Sequence, residues 1–452
     1  MIQEFGERLA KFFRTVTPDP FVLAIALTAT TAVLCMILTT SSAPDVIQAW
    51  HGGVWSLLRF SMQMCLVLVT GHALASAPIV RRLINRVVDF AGSAKVAGAL
   101  VAFVALTTSL FNWGLGLIVG ALLARQMGQR CKERGIVVHY PLLAAAGYTG
   151  LMIWHGGLSG SAPLKVTTRK DLIELLGAEM AANVEPVSTF DTIFSTMNLF
   201  VSGGLLVLVP LIIYFLMPAG NASQTIDSFP EASELPSHEL DLPQNFSEKL
   251  EQSRWVSAAL LVPAAAALFF YYRENGLAKL NPNIINLTLL TLGIALHGSP
   301  KAYVHAVSQA VSGCGGIILQ FPLYAGIMGM MKATGLASLF ASWAAGIGHA
   351  TGYSIVTFFV AGLINFFVPS GGGQWAVQGP IAVQAAAELQ IPLSKAVMAV
   401  AYGDQWSNML QPFWALPLLG ITGVKARDII GYTTAVMVFS GLWFVFGLIL
   451  FT

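Results

Sequence analysis

Charged side chains are scarce in this sequence: Asp, Glu, Lys and Arg supply 10% of its 452 residues, while 56% are hydrophobic. A soluble domain carries about 25% charged residues, so a water-facing globule is excluded and the chain reads as an integral membrane protein. Cysteine is scarce too. Cys35, Cys65, Cys131 and Cys314 stand far apart, three of them in apolar runs, and give neither a disulfide framework nor a metal-ligand spacing. Strand-period alternation is missing, which excludes a β-barrel. A net charge of +2 leaves no basic footprint for nucleic acid. No Walker P-loop is present, so ATP-driven transport would need a separate subunit. No paired His/Asp or metal-ligand set stands at an active-site spacing, so no enzyme, cofactor or metal is expected.

Long apolar runs are what the chain has in quantity. They lie near 21–40, 54–76, 96–124, 141–163, 190–217, 255–272, 284–297, 302–331, 353–389, 392–419 and 429–451. The run after Arg8, Lys11 and Arg14 is too long for a signal-peptide core and reads as the first membrane helix. Positive charge sets orientation. Arg81, Arg82, Arg86 and Lys95 precede the 29-residue charge-free stretch Val96–Ala124, and Arg125, Arg130, Lys132 and Arg134 follow it. Both clusters stay inside only if that stretch enters and returns, as two arms of about 14 residues, each shorter than the roughly 20 that span a bilayer. Val80–Phe90 reads as an interfacial helix, with Leu336–Gly348 as its counterpart. The expected fold is an all-α polytopic membrane protein of two inverted-topology repeats, each with a re-entrant hairpin and a broken transmembrane helix. The repeats are 1–217 and 255–452, joined by a cytoplasmic acidic linker, 218–254, with a short helix near its end.

The repeat is visible in the breaks themselves. Leu110-Phe111-Asn112-Trp113-Gly114-Leu115-Gly116 is echoed about 253 residues later by Ile364-Asn365-Phe366-Phe367-Val368-Pro369-Ser370-Gly371-Gly372-Gly373-Gln374. Tyr148 and Pro163-Leu164 match Tyr402 and Pro417-Leu418 at offset 254. Lipid tolerates unpaired backbone only where protein or a water-filled cavity satisfies it, so paired broken segments point to a transporter's binding site. Ser370 and Gly371, Gly372, Gly373 and Gln374 offer backbone N–H groups and a helix N-terminus to an anion. Ser159 and Ser161 can donate to a carboxylate, and Asn112 and Asn365 bond either the partner hairpin or a ligand. Asp404, the one charged residue between Lys395 and Lys425, is the leading ion-coupling candidate; Asn408 lies one turn on, and His155, in the matching segment of the first half, is a further candidate. Asn408 and Gln411 can equally be interhelical glue.

Several of these motifs resemble the bacterial short-chain fatty acid transporter family, a branch of the ion transporter superfamily. They are Val368-Pro369-Ser370-Gly371-Gly372-Gly373-Gln374-Trp375, Ala401-Tyr402-Gly403-Asp404-Gln405-Trp406, Gln411-Pro412-Phe413-Trp414, Phe111-Asn112-Trp113-Gly114, Val69-Thr70-Gly71-His72 and Gly157-Leu158-Ser159-Gly160-Ser161. The resemblance covers nearly the whole chain. It implies uptake of short carboxylates such as acetoacetate or butyrate across the bacterial inner membrane, by alternating access of the elevator type. The Ser-Asn-Thr tips typical of the superfamily are absent here, so its sodium sites do not carry over and coupling to H+ or Na+ stays open. A passive channel for small organic anions is the alternative. The lipid bilayer is the expected surrounding, and a homodimer is left open.

Overall fold

The computed structural model describes residues 2–218, 223–229, 243–276, 282–346 and 350–451, and the regular elements among them are all helical. The amphipathic α1 (Ile2–Val16) leads to α2 (Pro20–Leu38), α3 (Ala43–Gly53), α4 (Leu58–Ser76) and α5 (Pro78–Asp89). Two arms, α6 (Ala94–Phe111) and α7 (Trp113–Glu133), meet at Asn112. An interrupted helix follows: α8 (Tyr140–Tyr148), 3-10 turns at Thr149–Met152 and Trp154–Gly156, and α9 (Ser161–Leu164). A charged excursion with α10 (Arg169–Leu176) and α11 (Ala178–Ala182) precedes α12 (Thr196–Leu216). Beyond the linker come α13 (Phe246–Glu251), α14 (Arg254–Asn275), α15 (Pro282–His297), α16 (Pro300–Ala310), α17 (Gly315–Ala333) and α18 (Leu336–Ala345). The second pair of arms is α19 (Ala350–Phe367) and α20 (Gly371–Glu388). The second interrupted helix is α21 (Leu393–Ser407), a 3-10 turn at Asn408–Leu410, and α22 (Pro412–Thr422), after which α23 (Ala426–Leu450) closes the chain.

Among the described residues, six helical stretches are long and apolar enough to cross a membrane, and the bent pair Ala43–Gly53 with Leu58–Leu74 makes a seventh if taken as one span. The chain is an all-α, multi-pass membrane protein. Its helices start where a polar side chain can cap free N–H groups. Asp19 caps α2, Ser195 caps α12, and Asn112 and Ser370 cap the return arms α7 and α20.

Both pairs of arms are antiparallel hairpins. In the first, a methyl added to Gly116 would meet Ser109 Cα at 2.7 Å, and one on Gly120 would meet Ala105 Cβ at 3.0 Å. In the second, Gln374 Nε2 donates to Ala361 O at 2.9 Å and Tyr353 OH to Ala382 O at 3.3 Å. In each case facing positions fall along one arm as they rise along the other.

The arms are longer than the expected 14 residues. α6 has 18 and α7 has 21, because α7 runs on through its charged end to Glu133. That end is held by ion pairs: Arg130 lies 3.2 Å from Asp89 and 2.9 Å from Glu133, and Lys132 pairs with Asp227. α1, α3, α10 and α11 have no counterpart among the expected apolar segments. The expected interfacial helices correspond to α5 and α18; positions 347 and 348 of the latter stretch lie outside the described residues, as do 219–222 and 230–242 of the linker. The linker's expected short helix is α13. His72 of α4 sits 2.7 Å from the buried Arg125 of α7. The core gathers on the interrupted helices: all nine residues of α8 are buried, as is α21 from Lys395 to Gln405.

Candidate substrate and ion site

Each hairpin tip is tied to an unwound stretch. At the first tip, Asn112 is extended, and its Oδ1 accepts from Gly114 N at 3.0 Å and Leu115 N at 3.1 Å. Its amide is therefore a helix cap. The neighbouring backbone reaches the interrupted segment: Leu158 N–H donates to Leu110 O at 2.7 Å, and Trp113 N–H to Ser159 Oγ at 3.0 Å. At the second tip, Asn365 Nδ2 lies 2.9 Å from Asp404 O, Ser407 Oγ and Asn408 Oδ1. Gln411 Nε2 returns the link, 3.1 Å from both Asn365 O and Phe366 O. Backbone groups freed where a helix breaks find their partners here.

The two interrupted helices cross. Tyr148 OH lies 2.9 Å from Asn408 O and 2.8 Å from Gln411 O, while Asn408 Nδ2 donates to Leu151 O at 3.1 Å. Gln405 Oε1 accepts from His155 N at 2.9 Å and Gly156 N at 3.1 Å. Tyr402 OH donates to Asn198 Oδ1 at 3.1 Å, and Asn198 Nδ2 donates to Gly156 O at 2.8 Å.

At the centre, His155 Nδ1 lies 3.2 Å from Asp404 Oδ1, with side chains 1% and 2% exposed. The N–H direction misses good alignment with that oxygen, so the contact is a close approach and not an ideal hydrogen bond. Ala162 N–H donates to His155 Nε2 at 2.9 Å. A neutral ring with Nε2 accepting carries its proton on Nδ1, facing the carboxylate. A second proton, on Nε2, requires that bond to break. Trp154 stacks on the imidazole with ring centroids 4.3 Å apart.

The glycine run sits against this pair. It is not a loop: Gly371–Gln374 forms the first turn of α20. Ser370 Oγ accepts from Gly373 N at 3.2 Å and Ser370 O from Gln374 N at 2.7 Å, so the N–H groups of Gly371 and Gly372 are the ones left free. A methyl on Gly371 would come within 2.6 Å of Trp154 Cη2 and 3.0 Å of His155 Cε1. Gly372 is exposed, and a methyl there would meet only Ser161 Oγ, at 3.9 Å. Gln374 turns its amide nitrogen back to Ala361 O and to Gln378 Oε1, 3.0 Å away. The residues 157–161 thus run between the tips, with Ser159 on the first and Ser161 facing the second. Cavities flank both: about 160 Å³ at the first, beside Asn112, Trp113 and Ser159, and about 630 Å³ at the second, beside Val368, Gly373 and Lys332.

Every residue singled out in the sequence is at this crossing or at the tips. Asn365, Asp404, Asn408 and His155 come together; Asn112 and Ser159 form a separate group at the first tip. Gln411 and Asn408 both bond across helices. Gln405, Trp154 and Asn198 were not singled out, although Asn198 is an amide in an otherwise apolar helix, the kind of residue that bonds across helices. Buried polar atoms without a partner in the protein cluster here as well: Asp404 Oδ2, Asn365 Oδ1, Gln374 Oε1 and Gln405 Nε2. Each such atom costs about 1–3 kcal/mol.

A family model described as "Short chain fatty acid transporter" matches residues 1–451. A provisionally named short-chain fatty acid transporter of Escherichia coli is 39% identical over 454 positions, spanning 100% of both chains. One of Haemophilus influenzae is 37% identical over 450 positions, spanning 99% of both. Solved structures of Neisseria gonorrhoeae MtrF and of the Alcanivorax borkumensis YdaH transporter share 16% identity with the chain. The first covers 98% of this chain and 96% of its own at a TM-score of 0.39; the second covers 96% and 97% at 0.42.

Proposed function

The chain belongs to the short-chain fatty acid transporter family, and we propose that it is a secondary carrier of short monocarboxylates in the bacterial inner membrane, coupled to H+ or Na+. The observation that carries this reading is the crossing of two interrupted helices beneath two hairpin tips. One half contributes His155 and the other Asp404, 3.2 Å apart and buried. Such a pair at membrane depth is costly unless it serves a pathway or a partner.

The carboxylate binds where the tips converge on 157–161. Ser159 donates from the first side, and the free N–H groups of Gly371 and Gly372, beside Ser370, donate from the second, where the positive end of α20 adds its dipole. Asn112 and Asn365 hold the tips in place. The cation binds at Asp404, whose Oδ2 has no partner, near Asn365 Oδ1, Asn408 and Gln374 Oε1. Because Ala162 occupies His155 Nε2, His155 orients the carboxylate, and Asp404 is the group that accepts the charge. The halves 1–217 and 255–452 are taken as inverted repeats that move by alternating access of the elevator type. A passive channel finds less support, since Tyr148, Gln405 and Asn408 fill the crossing with mutual hydrogen bonds.

Uptake into proteoliposomes under imposed proton or sodium gradients tests the reading. The expected result is saturable uptake, counterflow, and acceleration by one of the two gradients. Flux without saturation or counterflow would rule out a carrier.

A further inference from the structure

The cavity at the first tip is lined by both polar and apolar groups. Its walls include Met64 and Val67 of α4, Asn112, Trp113 and Gly114 of the tip, and Ser159. Ser159 Oγ already accepts the Trp113 N–H, which leaves its own O–H free to donate. The positive end of α7 lies at the same place. Leu158, Leu164, Pro282 and Ile285 add apolar wall beside Met64, Val67 and the Trp113 indole.

Trp113 is a wall that does not yield easily. Its ring is held by Trp414 at 5.1 Å, Phe60 at 6.1 Å and Trp154 at 6.4 Å between centroids. Phe60 is itself packed on Phe321 and Trp414, each at 5.9 Å. Rotation of the indole would have to displace aromatic rings from α4, α22 and the first interrupted helix together. Interiors this closely packed are not continuously deformable.

We infer that this cavity receives the alkyl chain of the substrate, with the carboxylate toward Ser159, and that Trp113 is the residue that limits chain length. The inference rests on the carrier reading above and places the hydrocarbon end, which that reading leaves unassigned. Volume supplies the limit. A dry cavity of about 150 Å³ accommodates benzene, which has as many non-hydrogen atoms as a four-carbon monocarboxylate. The observed cavity of about 160 Å³ therefore fits butyrate closely, and acetoacetate is one non-hydrogen atom larger. Hexanoate, with two more methylenes, enters only if a wall retreats.

The experiment is uptake by the full-length protein in proteoliposomes, with labelled carboxylates of two to six carbons. A misfit methylene in a sized pocket is worth about tenfold or more, so the wild type should prefer butyrate over hexanoate by at least about tenfold. Trp113→Leu should cut that preference at least about fivefold while butyrate uptake persists. Val67→Leu, on the facing wall, should lower butyrate relative to acetate by about threefold. The two residues lie on different elements, so failure of one variant to fold leaves the other decisive. An unchanged chain-length profile in a folded variant of either residue would overturn the assignment. A wild type that carries none of these carboxylates would instead overturn the carrier reading on which it rests.

Discussion

In the first hairpin the arms close small residues on each other, with Gly116 against the Ser109 backbone and Gly120 against the Ala105 methyl, whereas in the second Gln374 and Tyr353 reach across with long side chains. The glycines at the second tip are spent differently. Gly371 faces neither arm of its own hairpin but lies on Trp154 and His155 of the other half. A hairpin fastened by close backbone contact behaves as one piece. A hairpin bridged by long side chains, with its tip resting on a titratable pair, has fewer close contacts to lose when it shifts. The first therefore reads as the firm wall of the site and the second as the element that registers the state of Asp404.

Removing the charge tests the centre of that comparison and carries the largest expected effect. Asp404→Asn should abolish uphill accumulation while exchange across the membrane persists, because the amide keeps its shape but holds no exchangeable charge. Full accumulation by that variant, measured as the internal-to-external ratio of labelled butyrate, would remove Asp404 from the coupling role.

The glycine pair comes next. Gly371→Ala pushes a methyl to within 2.6 Å of the Trp154 ring and 3.0 Å of His155, so it should cut uptake by about tenfold with little change in thermal stability. Gly116→Ala pushes instead on Ser109 backbone, 2.7 Å away. Overpacking of that kind costs about 1–3 kcal/mol, so its first effect should be a lower Tm in detergent. If the two substitutions act alike, the contrast between a firm hairpin and a responsive one is wrong.

How much of this was legible follows from what each feature depends on. Apolar runs depend on local composition, and the membrane segments fell where they were expected. The first hairpin was legible because two clusters of positive charge demanded a return. Its arm length was not, since α7 continues through Arg125–Glu133, where buried Met127 and Cys131 and ion pairs to Asp89 and Asp227 keep a charged stretch helical. The meeting of His155 with Asp404 was hidden for a different reason. At the repeat offset of 254, His155 corresponds to Met409 and Asp404 to Gly150, so the pair breaks the symmetry that made the tips visible. Gln405 stood beside Asp404 in the motif, yet its bonds to His155 N and Gly156 N exist only because the two interrupted helices cross.

The charged excursion between α9 and α12 packs on the second hairpin and on α21. Val166 and Leu172 share a buried cluster with Trp375 of α20, and a methyl on Gly379 would meet Leu175 Cδ1 at 3.2 Å. Asp171 organises that excursion: Thr168 Oγ1 lies 2.6 Å from its carboxylate and Lys165 Nζ lies 3.0 Å away. The Thr168 hydroxyl first, and Lys165 after it, hold the Asp171 carboxyl below its ordinary value. A depressed carboxyl stabilises the fold above the ordinary value, near pH 4, and the gain disappears as pH falls through the depressed one. Asp171→Asn should therefore lower Tm at pH 7 and leave it unchanged at a pH where the wild-type carboxyl is protonated. The group is partly solvated, so the loss is at most about 1 kcal/mol, or a Tm shift of no more than about 4 °C. Uptake should change less than twofold, in keeping with a brace on the back of α20. A loss of uptake as large as that of Gly371→Ala would mean that the excursion does more than brace, and that the second hairpin moves as one body with it.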